Sequence, residues 1–579
     1  MSATDSIEKN AQLHNTNDDA IHNEPQPREA SEKGSGDTKS PENQVSVEIE
    51  DTDEETYDSF LDGWRLQVLN IGVLLFVCLS FLEMTIVGTS LVSITNSLKG
   101  FDIASWVVSA YLITDTGFLM IITKLSDIFG RRSTIIVVLC FFSIISIGCG
   151  FSQNMTTLIV LRGFQGMVGG GLFGMAFVVL PEMVPVSKYP LYSALLSSTT
   201  ALANLMGPLI GGAVNHNPKN KDAWRWIFWL NGPAGTIALI ATLIGMPSRF
   251  PHQRTPLPDR KQSVLTRNNF RRVDVLGFFF LLGASILVVT ALQEGGTRYP
   301  WTSPVTLVLL VVGIVFWFFF GFWEWYQSKR KTPQEPVMPW RLATNRYVAG
   351  LFLNAFFSGG TFTVTIVNLP QRFQIVNGNS ALEAGYRLLT LSLVASMGSL
   401  TTGILIQRCR VPPFYVLLGA APLQMIGLVL MGYLGHDYAI NPATYGYQAI
   451  AGIGFGGTIA TVIMTIPLAA GKQDVAVGMG AIGQLRSLGA SIGIAICTNI
   501  LNRHVSSSLS TIISPEQLHA LILSTQTIEQ FPPETKALIR RAYSEGFDTQ
   551  MHVMAGFSAA SLLCALLCWE RTPRRQIAL

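Results

Sequence analysis

The sequence predicts an all-α polytopic membrane protein, and three observations carry that expectation. Of its 579 residues, 49% are hydrophobic and only 13% are charged, where a soluble domain averages about 25% charged. The apolar residues gather into about fourteen runs, each close to the roughly 20 residues needed to cross a bilayer. The basic residues fall mostly in every other connecting loop, and so on one side of those runs, the asymmetry expected of a chain threaded through a membrane.

The chain opens on a polar tail that turns acidic at Glu48, Glu50, Asp51, Asp53, Glu54 and Glu55. Such a segment cannot bury enough apolar surface to offset its ordering entropy. We expect a disordered cytoplasmic tail over 1–64, with no secretory signal. The runs then centre near Phe76, Leu112, Phe141, Gly169, Leu202, Leu239, Leu282, Ile314, Phe357, Val394, Leu423, Gly457, Gly489 and Leu562. The second and fifth are the weakest, being rich in Ser, Thr or Asn. An even number of spans puts both termini on one side. Lys124, Arg131, Arg132, Lys188, the basic stretch Arg249 to Arg272, and Lys329 to Lys331 would share that side. The positive-inside rule makes it the cytoplasm. The segment 502–550 reads as a long, mostly polar outer loop with helical patches, and 571–579 as a short inner tail. The aromatic-rich stretch from Trp317 to Trp325 reads as a lipid-facing surface and interface belt.

Several classes are disfavoured. The seven cysteines form no CxxC pair, and six lie in apolar runs, where Cys behaves as a small hydrophobe. No disulfide, metal site or cofactor is expected. Scattered basic residues argue against a nucleic-acid partner. There is no HExxH, GxSxG or P-loop, and the eight His mostly lie in tails and loops, so an enzyme is not expected.

Ionisable residues within apolar runs are costly and mark functional candidates. Glu83 lies in the first run, Asp115 in the second and Arg162 in the fourth. Arg162 could pair with either acid, lowering the cost of burying all three. Either the charges serve proton coupling or substrate contact, or they form a fixed pair that holds the helices together. Arg486, in the thirteenth run, could meet an anionic substrate group or serve as a structural partner to polar groups. Glycine clusters at 169–174, 207–212 and 452–457 permit close helix approach. Asn154-Met-Thr156 is a glycosylation sequon, too near the membrane for its use to be expected.

Thr123-Lys-Leu-Ser-Asp-Ile-Phe-Gly-Arg-Arg132 resembles the loop motif between the second and third helices of the major facilitator superfamily. Asp127, Gly130, Arg131 and Arg132 match it, and Thr123 replaces the usual Gly. The resemblance implies a charged cytoplasmic gate. Leu158 to Gly166 is similar to the fourth-helix motif, with Arg162, Gln165 and Gly166 matching. It implies a role in proton coupling. Ala203 to Gly212 resembles the fifth-helix antiporter motif, with Gly207, Pro208, Gly211 and Gly212 matching and Ala203 replacing a Gly. Trp224 to Pro233 resembles the segment that opens the sixth helix. Leu82-Glu-Met-Thr-Ile-Val87 resembles the first-helix motif of the fourteen-helix drug:proton antiporters, with Glu83 in place of Asp. Gly483 to Gly489, around Arg486, is similar to the thirteenth helix of that group.

The resemblance covers Trp64 to Trp569 and most closely follows fungal toxin and multidrug efflux pumps. It implies an N-terminal six-helix bundle over 65–247 and a basic loop with two extra helices over 248–346. A C-terminal six-helix bundle would occupy 347–570. The implied function is proton-coupled efflux of small lipophilic compounds by a plasma-membrane monomer, with vacuolar or vesicular membranes as alternatives. Its partners would be a small-molecule substrate, protons and the lipid bilayer, and the proton gradient would replace any cofactor. The competing readings are proton-coupled import, for example of a siderophore, and a non-transporting sensor.

Overall fold

The computed structural model describes residues 60–571, apart from 99–102, 104–105, 215–221, 249, 251–265, 297–298, 331–332, 436–437, 471–473, 524–527 and 529–530. The expected N-terminal tail up to residue 59, the tail 572–579 and most of the basic stretch 249–265 lie outside the described residues. Among those described, fourteen helices are long and apolar enough to cross a membrane. They are α1 (Gly63–Leu98), α2 (Trp106–Phe129), α3 (Arg131–Gly150), α4 (Met155–Met183) and α5 (Tyr189–Val214). Next come α6 (Arg225–Gly245), α7 (Val275–Glu294), α8 (Pro304–Lys329), α9 (Arg346–Ile375) and α10 (Ala381–Gly403). The last four are α11 (Pro413–Met431), α12 (Ala443–Ala469), α13 (Val475–Leu509) and α14 (Pro533–Leu566). In lipid every backbone polar group must be paired within its own segment, which leaves the helix as the open solution for an apolar run.

Local chemistry sets several boundaries. Asn154 caps α4, its side chain accepting from Thr157 N at 2.8 Å, so the sequon asparagine is engaged at a helix start. Ser380 and Glu383 form a reciprocal capping box at the start of α10. Gly130, with φ of 92°, makes the tight turn between α2 and α3 that a residue with a side chain rarely adopts.

Helices α1 to α6 form one bundle and α9 to α14 the other. The central pair α7 and α8 pack on each other, and α7 also lies against α2 and α13. There Ile113, Val289 and Leu488 share an apolar cluster. The insert is thus set against the seam where the two bundles meet. Its second helix, α8, exposes Phe318, Phe319 and Phe322, in keeping with a lipid-facing aromatic surface. Phe320 is buried, however, and Trp323 donates to Asp274 at 2.9 Å.

Glycine decides how closely α2 and α4 approach. A Cβ on Gly170 would fall on the Asp115 carbonyl, and one on Gly166 on the Tyr111 carbonyl. Gly170→Ala is expected to push the helices apart and destabilise the bundle by about 1–3 kcal/mol, the usual cost of overpacking. Thermal melts of the purified protein would show it. Gly163→Ala in the same helix, with nothing within 4 Å of the added carbon, should leave the melt unchanged.

The expected outer loop over 502–550 is shorter than its composition implied. Helix α13 runs on to Leu509, a short helix spans Pro515–Leu523, and the patch beginning at Pro533 continues as α14 to Leu566. Ile539, Tyr543 and Phe547 recur at helical spacing and are buried with Val505, Leu509 and Leu521. That apolar face, not average polarity, sets the structure.

Candidate functional site

Helices α1, α4 and α6 converge on a buried charge. Glu83 and Arg162 are both fully buried, and Arg162 Nη1 donates to Glu83 Oε1 at 2.6 Å. Arg162 Nη1 also donates to Gln165 Oε1 at 2.8 Å, and Nε to the Val107 carbonyl at 3.1 Å. The guanidinium lies 4.3 Å from the Tyr111 ring centroid. Asn231 of α6 donates to the other Glu83 oxygen. Ser146 Oγ accepts from Gln165 and Asn231 and donates to the Phe228 carbonyl. Each side chain of the network has a partner that supports its charge or orientation, as a tolerated buried pair requires, although Arg162 Nη2 is buried without a hydrogen bond.

Asp115 sits differently. Its carboxyl makes no hydrogen bond or ion pair among the described residues, although the charge of Arg162 acts on it. It faces a cavity of about 1030 Å³, counting the open mouth, between the two bundles. Phe81, Tyr111, Phe173, Phe177 and Phe362 give this cavity an aromatic lining. Ser80, Thr116, Thr200, Asn204, Ser487 and Ser491 supply scattered polar groups, and Arg486 contributes a cation. A concave, mostly apolar space with a few placed polar groups is the usual form of a small-molecule site.

The bundles touch on the side of this cavity nearest the loop Gly130. Thr116 and Ser491 hydroxyls lie 2.9 Å apart, and Gln484 Nε2 donates to the Thr116 carbonyl at 2.6 Å. Across the other flank, Ser198 and Ser396 hydroxyls lie 2.6 Å apart. Gly403 packs on Pro190, and Gly480 on Thr123. Small residues and hydroxyls at these points let backbones meet closely.

At the same end Arg131 pairs with Asp127 and, through Nη2 at 2.8 Å, with Glu182 of α4. Arg132 instead donates to the Leu243 carbonyl at 3.0 Å. The segment after α8 adds a strap. Glu335 accepts from Lys124 at 2.9 Å and from Arg272 Nε at 2.7 Å. Arg341 Nη2 donates to Asp474, before α13, at 2.7 Å. The insert is therefore tied to both bundles. Burial works to raise the Glu335 pKa, but Lys124 and Arg272 outweigh it and hold it below the usual carboxylate value. A depressed carboxylate stabilises the fold above its unfolded pKa of about 4.3, and that contribution is lost as pH falls through the folded value. Glu335→Gln is accordingly expected to lower the melting temperature at pH 7. The gap from the parent should narrow as pH falls below the ordinary carboxylate range and close below the depressed folded value.

The structure brings Glu83, Arg162 and Gln165 together and puts Asp115 and Arg486 on the cavity wall. Gly207 of α5 packs on Thr85 of α1, two residues from Glu83, while Gly212 faces open space. Pro208 and Gly211 lie in the same helix. Sequence reasoning missed Glu182, Asn231, Glu335, Gln484 and Ser491. Asn231 and Gln484 lie within the stretches similar to the sixth and thirteenth helices, but their partners are distant in sequence.

The profile of the Major Facilitator Superfamily matches residues 73–322. The MFS-type transporter FPY5 of Fusarium mangiferae is 41% identical over 514 residues, covering 89% of this chain and 85% of that protein. The chain belongs to the major facilitator superfamily. The efflux pump dotC of Dothistroma septosporum is 29% identical, over 86% of this chain and 82% of its own. A bacterial homologue of the human lysosomal transporter Spinster, solved in an inward-facing, unoccupied conformation, superposes with a TM-score of 0.54. It is 16% identical and covers 88% of this chain and 100% of its own. This major facilitator protein is thus an integral membrane transporter, and its two bundles with a cavity between them are the superfamily fold.

Proposed function

We propose that this major facilitator protein is a proton-driven exporter of small lipophilic organic compounds. The observation that carries the reading is Asp115, an unpartnered carboxylate on the wall of the inter-bundle cavity. In the cavity a protonatable group and a bound substrate can each bias the same rocking of the halves, the arrangement alternating access needs. The buried Glu83–Arg162 pair holds the helices that frame Asp115, and Arg162 links the two acids electrostatically. Two further facts support export over import: relatives named efflux pumps and the antiporter-like sequence from Gly207 to Gly212.

Under this reading the end bearing Arg131, Lys124 and Glu335 faces the cytoplasm, both termini are cytoplasmic, and the plasma membrane is the site of action. The contacts there close the cytoplasmic side. Protons from outside reach Asp115, substrate leaves outward, and the proton gradient alone supplies the drive. Gly130, Arg131, Asp127 and Arg132 act as the cytoplasmic gate.

The test is retention of a panel of lipophilic dyes and toxins in efflux-deficient yeast expressing the protein. Retention should fall, and a protonophore should abolish the effect. Unchanged retention of every compound with the protein at the cell surface would sink broad export. Proton-stimulated uptake would replace it with import.

A further inference from the structure

The cavity holds a second unpartnered charge, on the opposite bundle from Asp115. Arg486 of α13 lines the main cavity and also a small apolar extension beside it, formed with Ala355, Ile459 and Ile482. Among the described residues it has no ion-pair or hydrogen-bond partner. Its guanidinium lies 5.2 Å from the Phe362 ring centroid. The buried arginines, by contrast, are bound: Arg162 to Glu83, Arg131 to Asp127 and Glu182, and Arg372 to Asp548. Gly359 of α9 packs directly on the Arg486 backbone, so the root of the side chain is fixed while its head is left to the cavity.

An unpaired cation at membrane depth is costly. Asp115 does not neutralise it, since no ion pair or hydrogen bond joins the two among the described residues. The axial offset explains this in part. Thr116, next to Asp115, bonds Ser491, and Arg486 lies five residues, about 7.5 Å, further along α13. A guanidinium is also a poor mimic of a simple structural donor. Its planar fork matches the two oxygens of a carboxylate. Phe173, Phe177, Ile459 and Ile463 surround the space beside it and suit an apolar body.

We propose that Arg486 is the anion-recognition point of the cavity and that the transported compounds are lipophilic organic acids carrying a single carboxylate-like head. The proposal deepens the export reading and rests on the cavity being the transport site. The acid head meets Arg486, the apolar body fills the aromatic wall, and Asp115 remains free for the proton. Neutral or cationic lipophiles of the same size lack the feature that the site provides for.

The experiment is equilibrium dialysis with the full chain in lipid nanodiscs, empty nanodiscs serving as background. The probes share one aromatic body: 1-pyrenebutyrate, its methyl ester and 1-pyrenemethylamine. The acid should bind about tenfold or more tighter than the ester or the amine. Arg486→Gln should remove about that factor for the acid and leave the ester within roughly twofold, while Arg486→Lys should retain part of the preference. Equal binding of all three probes, or of none, by folded parent protein would overturn the proposal. So would an equal loss for acid and ester in Arg486→Gln, which would mark a structural residue. If Arg486→Gln fails to fold, the ratios on the parent and Arg486→Lys decide. Binding needs no gradient, so an acid preference without proton-driven export would sink the export reading and leave this one standing.

Discussion

Glu83→Gln is expected to abolish export and to lower the melting temperature of the protein in the same stroke. The substitution leaves Arg162, fully buried, without its counter-charge. Breaking one side of a buried ion pair costs about 3–5 kcal/mol, because the remaining charge is uncompensated. Arg162→Gln should be equally damaging for the reciprocal reason. The informative protein is the double variant Glu83→Gln, Arg162→Gln. With both charges gone, much of the stability should return, the non-additivity expected of residues in direct contact. Export should not return, because the link between Asp115 and the helix framework has been removed. Thermal melts and efflux, measured on the three variants together, check both halves. Recovery of export in the double variant would reduce the pair to a structural tie.

Asp115→Asn should separate substrate movement from the gradient. The carboxyl has no partner whose loss would unfold the bundle, so the variant is expected to fold normally and still bind substrate. In proteoliposomes, a pH difference of one unit supplies about 1.4 kcal/mol per proton, or about a tenfold accumulation ratio. The parent should build such a ratio and Asp115→Asn should not. Counterflow exchange, which needs no proton, should persist in the variant. Gradient-driven accumulation by Asp115→Asn would move the coupling elsewhere, with Glu83 the next candidate.

The helices were largely legible because bilayer thickness imposes a length and lipid imposes a composition. Both act locally, so runs centred near Phe76 or Leu282 announce themselves. The charges at Glu83, Asp115 and Arg162 stood out for the same reason, as exceptions to that composition. Their different fates could not be read. Arg162 chooses Glu83 over Asp115 because Asn231 and Ser146, far along the chain, complete the first arrangement. The segment 502–550 misled because averaging polarity hides an amphipathic face, and only the partner helix shows that Ile539, Tyr543 and Phe547 have somewhere to go. Glu335 was invisible for a related reason. An acid after a basic stretch looks solvated until Lys124 and Arg272 are placed beside it.

The direct contacts between the halves are hydroxyl pairs and glycine contacts, such as Thr116 with Ser491 and Ser198 with Ser396, while the charged pairs bridge them through the insert, Lys124 with Glu335 and Arg341 with Asp474. A neutral hydrogen bond contributes about 0.5–1.5 kcal/mol net, so a few of them hold the doorway shut by only a few kcal/mol. Driving a two-position equilibrium from 1:99 to 99:1 takes about 5.5 kcal/mol. On the proposed cycle, contacts of that size would leave the halves within reach of a single bound ion or guest. Neutral contacts are also indifferent to dissolved salt, which screens charges. Salt would then loosen the strap while leaving the direct contacts between the halves unchanged.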